Sequence, residues 1–105
     1  MAEDRPEGFG GTPEDASRAV LFLKTLSHEV RLQILCLLID GQQNVGELAA
    51  ALDQTTATIS QQLMRLRAEG IVVATRHGKS VYYALKRPEV SPVIAALRDA
   101  FCRPR

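Results

Sequence analysis

Two cysteines, Cys36 and Cys102, are all the chain contains. That is too few for a disulfide framework, and a chain so poor in thiols is expected in the reducing cytosol. Long apolar runs are missing as well. The longest uncharged one, residues 34–39, falls far short of the roughly 20 residues that a membrane-crossing helix needs. Ala2-Glu3-Asp4-Arg5 is acidic and has no apolar centre, so no signal peptide is read there. The sequence has no glycine-rich phosphate loop, no clustered metal ligands and no Ser/His/Asp set, which leaves little for an enzyme. A thiol peroxidase would need an activated cysteine in polar surroundings, and Cys36 lies in an apolar run. No internal repeat or low-complexity segment occurs. What remains is an ordinary globular balance, 46% hydrophobic and 24% charged, over 105 residues, a length that fits one domain and excludes a wholly disordered chain.

The net charge of +1 conceals an asymmetry. Residues 1–15 hold five acids and one base, whereas residues 54–87 hold six bases and one acid. The basic residues are Arg65, Arg67, Arg76, Lys79, Lys86 and Arg87. A local block of this kind is what a polyanion-binding face needs, although a solvated basic surface looks the same in sequence.

Residues 1–12 read as a flexible arm, and residues 13–105 as the folded domain. Thr12-Pro13-Glu14-Asp15 is a helix start: Thr12 can cap, Pro13 suits the first helical position, and two acids complement the helix dipole. The helix runs to about Leu26 with Ala19, Phe22, Leu23 and Leu26 on one stripe. Ser27 reads as the next cap. It precedes a helix apolar on most sides (Val30, Leu32, Ile34, Leu35, Leu38, Ile39), which is expected at the centre of the core and ends at Gly41. Asn44-Val45-Gly46-Glu47 resembles a capping box and opens a short helix to about Leu52. Thr55 or Thr56 then caps a helix reaching Glu69, with Ile59, Leu63 and Leu66 as its buried row, and Gly70 ends it. Two β-rich runs flank His77-Gly78-Lys79 and predict a hairpin. Pro88 and Ser91-Pro92 open a last helix carrying Val93, Ile94, Leu97, Ala100 and Phe101. Two helices joined by a tight turn and followed by a hairpin make a winged helix-turn-helix, mainly α with a β-hairpin wing, whose second helix can enter a major groove.

That second helix is chemically suited to DNA. Its outer face carries Thr56, Thr58, Ser60, Gln61, Gln62 and then Arg65. Glutamine can pair with adenine through both amide atoms, Ser and Thr can contact bases or phosphates, and Arg65 suits a phosphate or a guanine. No acid occurs across residues 55–67 to repel phosphate. An ordinary polar surface helix remains the alternative. At the wing, Lys79 beside His77 and Gly78 can reach a flanking groove or the backbone.

Several separate segments resemble one family. Leu26-Ser27-His28-Glu29-Val30-Arg31-Leu32-Gln33-Ile34-Leu35 looks like its second-helix signature. Val45-Gly46-Glu47-Leu48 and Thr58-Ile59-Ser60-Gln61-Gln62-Leu63 resemble its helix-turn-helix, and Gly70-Ile71-Val72 with Gly78-Lys79-Ser80-Val81-Tyr82-Tyr83-Ala84-Leu85 resembles its wing. The family is the ArsR family of homodimeric winged-helix repressors, and the resemblance covers about residues 18–102. It implies base contacts at Thr56, Ala57, Ser60 and Gln61. It also implies a homodimer formed through the first and last helices, reading an imperfect palindrome in double-stranded DNA.

Members of the family release DNA on binding metal or on thiol chemistry. The family's metal sites are not matched: the short helix has no cysteine, the last helix has no histidine, and His28 and His77 fall in different elements. No metal or other cofactor is expected. Cys36 can be a small buried hydrophobe; Cys102 closes the last helix beside Arg103 and Arg105, which favour a thiolate. The pair, in Ile-Leu-Cys and Phe-Cys contexts, is similar to the persulfide-sensing SqrR/BigR subgroup. That resemblance implies that persulfide or polysulfide donors bridge the two thiols with extra sulfur, releasing DNA and derepressing sulfide-response genes. A general oxidant sensor with a Cys36–Cys102 disulfide, a metal-responsive repressor with unfamiliar ligands and a winged helix used only for protein contacts stay open at this point.

Overall fold

Thr12 opens the first helix as the sequence predicts. Its hydroxyl accepts the Asp15 N–H at 3.1 Å, and the Asp15 carboxylate accepts the Thr12 N–H at 2.9 Å. The structure is a computed structural model that describes residues 10–102. Most of the expected arm, and Arg103 and Arg105, lie outside the described residues.

Helix α1 (Pro13–Leu26) buries only its last turn, Thr25 and Leu26. Leu23, expected on the buried stripe, is 56% exposed, with Val20 and Leu21 exposed beside it. Ser27 does not cap the next helix. Its hydroxyl donates to the Lys24 carbonyl at 2.7 Å and so satisfies an orphan carbonyl at the end of α1. His28 takes the cap position of α2 (Glu29–Leu38) and makes no side-chain capping bond. Helix α2 is the centre of the core, as its pattern predicts: Ile34, Leu35 and Leu38 are buried.

Strand β1 (Gln43–Asn44) leads into α3 (Val45–Leu52). Asn44 and Glu47 form the expected capping box, at 2.8 and 2.9 Å. A left-handed residue, Asp53 (φ 55°), closes α3 and turns the chain into α4 (Thr56–Ala68). Gly70 (φ 72°) ends the α4 turn, where the Ile71 N–H returns to the Leu66 carbonyl at 3.0 Å. Strands β2 (Val72–His77) and β3 (Ser80–Leu85) follow, then α5 (Val90–Phe101).

The wing is larger than the expected hairpin. Its sheet has three antiparallel strands in the order β1-β3-β2, with Gln43 opposite Tyr83 and Asn44 opposite Tyr82. The β2–β3 register pairs His77 with Ser80, so the turn is Gly78-Lys79 alone and His77 is the last residue of β2. Its ring stands edge-on to Tyr82 on the neighbouring strand, centroids 5.5 Å apart. The core joins Leu26, Ile34, Leu48, Ile59, Leu63, Ile71 and Ile94, among others, so every helix packs on α2 or α4 through aliphatic side chains. Each such burial contributes about 1.5–3 kcal/mol.

Candidate nucleic-acid interface and thiol pocket

Burial of Ile59, Leu63 and Leu66 fixes the rotation of α4 and determines what faces solvent. Thr56, Ala57, Ser60 and Gln61 are exposed, and none makes a side-chain hydrogen bond among the described residues. Met64, 71% exposed, extends the same row by one turn. Its spacing of three and four residues from Gln61 and Ser60 was the available signal for it, and an apolar side chain there was overlooked.

The other α4 candidates are engaged inside the protein. Thr58 accepts a hydrogen bond from the Thr55 hydroxyl at 3.0 Å, while Thr55 caps the helix through the Thr58 N–H. Gln62 is half-buried and accepts from Arg31 on α2 at 2.9 Å. Arg65 is exposed but paired with Glu69. Glu69 also accepts from the hydroxyl of the fully buried Thr25. These two bonds, Arg65 first, hold the Glu69 carboxyl below the usual glutamate range. On the wing, His77, Gly78 and Lys79 are all exposed. Small polar side chains exposed on α4 and a lysine exposed on the wing turn are side-chain types that can contact bases and phosphates.

Cys36 lies five residues beyond Arg31 on α2, about 140° further round that helix. Cys36 is half-buried on α2 and Cys102 is exposed at the end of α5; both are free. They line one cavity of about 210 Å³, whose other walls are Leu32, Leu97, Arg98 and Phe101. Burial pushes the Cys36 thiol above its ordinary range, Arg98 opposes that shift, and Cys102 adds to it. Arg98 was not singled out from sequence. Its position one turn before Cys102 on the same helix was the signal. The histidines stay apart, His28 with a buried Nδ1 that has no partner among the described residues, His77 on the wing. Among the described residues no group of three or more His, Cys, Asp or Glu gathers to hold a metal, and no helix is long and apolar enough to cross a membrane.

A helix-turn-helix with an exposed polar second helix and a flanking wing defines a winged-helix regulator. The chain belongs to the arsR family of bacterial regulatory proteins, whose family model matches residues 28–73. It is 43% identical to the biofilm growth-associated repressor of Agrobacterium fabrum, over 96% of this chain and 91% of that protein. It is 37% identical to the transcriptional activator HlyU of Vibrio cholerae, over 86% of this chain and 83% of that protein. Among solved structures, the repressor BigR from Xylella fastidiosa superposes with a TM-score of 0.75 at 39% identity, covering 85% of this chain and 88% of that one. HlyU from Vibrio cholerae superposes with a TM-score of 0.82 at 36% identity, covering 88% of this chain and all of that one.

Proposed function

We propose that the protein is a dimeric cytoplasmic repressor that binds an imperfect palindromic operator while Cys36 and Cys102 are reduced, and releases it when sulfur bridges them. The observation that carries this is the shared cavity: residues 66 positions apart in sequence line one small, mostly apolar space. Thr56, Ala57, Ser60 and Gln61 read base edges, while His77, Gly78 and Lys79 contact the flank. The exposed Val20, Leu21 and Leu23 on α1 and Phe101 on α5 support pairing of two copies through these helices. A related winged-helix domain from Mycobacterium bovis is described as homodimeric.

The chemistry follows from the difference between the thiols. Exposed Cys102 meets the donor first, and half-buried Cys36 closes the bridge. Two thiols and one hydrogen polysulfide give the bridged protein and two molecules of hydrogen sulfide. New sulfur–sulfur bonds form at both cysteines, two terminal sulfurs leave with the protons, and the polysulfide is the oxidant. A direct disulfide needs Cβ atoms about 3.5–4.5 Å apart, and a longer sulfur chain relaxes that demand. Tying α2 to α5 then alters how a dimer presents its two α4 helices, which takes only a few kcal/mol of preference between states.

The test is the intact mass of reduced protein after glutathione persulfide and, separately, hydrogen peroxide. Retained sulfur atoms with no free thiol support the reading. Loss of two hydrogens with peroxide, and no retained sulfur with persulfide, identifies a disulfide switch instead. The Agrobacterium relative is named a repressor and the Vibrio one an activator. A reporter assay with and without the protein establishes the direction here, and repression is expected.

A further inference from the structure

Adjacent glutamines on α4 are held very differently. Gln61 is exposed, with both ends of its amide uncommitted among the described residues. Gln62 is half-buried, and its Oε1 accepts from Arg31 Nη1 at 2.9 Å. An arginine has only donors, so the atom facing it must be the amide oxygen. Reading adenine with a glutamine uses both amide atoms, the oxygen accepting from N6 and the nitrogen donating to N7. The bond from Arg31 takes one of the two lone pairs of the Gln62 oxygen and holds the half-buried amide toward α2, away from the pose in which both its atoms would meet an adenine.

Arg31 is itself held at a second point, its Nε donating to the Thr25 carbonyl at 2.7 Å. Thr25 donates through its hydroxyl to Glu69, which closes α4 and pairs with Arg65. The end of α1, the first turn of α2 and the C-terminal half of α4 are therefore joined by one polar network. The aliphatic row beneath α4 selects the face it buries, and the guanidinium of Arg31, bonded at two points with directional geometry, locks that rotation. We propose that Arg31 and Gln62 are a positioning pair for the DNA-reading helix. Gln62 locks the rotation of α4 on α2 that the buried row selects and does not read a base, and Arg31 acts through it without touching DNA. Base discrimination between the two glutamines then falls to Gln61.

The experiment starts by selecting the preferred site from a pool of random-sequence duplexes with the full-length protein. Affinities are then measured for that site, for its single-base-pair variants and for an unrelated duplex, across a salt series. Gln61→Ala is expected to relax discrimination about 10-fold at one symmetric pair of positions. Gln62→Ala and Arg31→Ala are each expected to lower affinity about 10-fold for the selected site and equally for its variants. Their affinity for the unrelated duplex and their salt slope stay unchanged, because no phosphate contact is lost. The double variant is expected to be no worse than either single one. Arg31→Lys, which keeps the charge and loses the fork, is expected to match Arg31→Ala, and it keeps the test available if the alanine variant folds poorly. Relaxed discrimination at one base pair in Gln62→Ala, losses that multiply in the double variant, or full affinity in Arg31→Lys would each overturn the proposal.

Discussion

The reading helix and the thiol pocket are built by opposite means. Helix α4 is made by neighbours in sequence: a threonine cap, a buried row at helical spacing and a glycine stop. Its exposed face follows from that row. The thiol pocket is made by distance in sequence, with Cys36 from α2 and Arg98, Phe101 and Cys102 from α5. Damage to α4 should therefore act on the fold and on DNA binding together, whereas damage to the pocket should leave both intact and change only the response to sulfur donors.

Removing the buried row tests this contrast most severely. Leu63→Ala is expected to cost about 2–5 kcal/mol in denaturant unfolding, with operator binding lost in parallel. A fully stable Leu63→Ala would mean that α4 is not anchored as described. A smaller effect is expected at the wing. Lys79→Ala should weaken binding several-fold, uniformly across DNA sequences, and reduce the salt slope by about 2, one phosphate contact for each wing of the dimer. A change in base preference instead would give the wing a reading role.

The pocket side predicts a kinetic change with no loss of stability. Arg98 opposes the upward shift of the Cys36 thiol, so Arg98→Gln should move the pH profile of polysulfide bridging to higher pH. At neutral pH the bridging rate falls, while the unfolding midpoint is unchanged. An unmoved profile would mean that Arg98 has no part in the reactivity of Cys36. The smallest effect concerns acid. The Glu69 carboxyl is held low by Arg65 and Thr25 in the folded state. Its contribution is present above the usual glutamate range and is lost as pH falls through the folded-state value. Glu69→Gln should flatten the stability profile in that acidic window and leave the slope at neutral pH alone.

What the sequence made legible follows the same division. The caps at Thr12, Asn44 and Thr55, the stops at Gly41 and Gly70 and the hairpin around Gly78 are local rules, and they located the elements within a residue or two. Ser27 misled because a hydroxyl between two helices can serve either, and the free carbonyl of Lys24 captured it. Strand β1 was invisible because two polar residues show no alternation, and Asn44 already had a role as a cap. Arg31, Glu69 and Thr25 look like ordinary residues on three helices. Only the packing of α1 and α2 against α4 makes them partners. For the same reason the two cysteines could be chosen in sequence only through a family resemblance, and their common cavity appears only in the folded chain.

Control of DNA affinity by the thiol pair is measured by operator affinity before and after polysulfide. The comparison needs the wild-type protein and the variants Cys36→Ser and Cys102→Ser. Wild-type affinity is expected to fall by about 10-fold to 100-fold, while each variant binds as before whether treated or not. Release of DNA by polysulfide from either serine variant, to the same extent as from wild type, would contradict it.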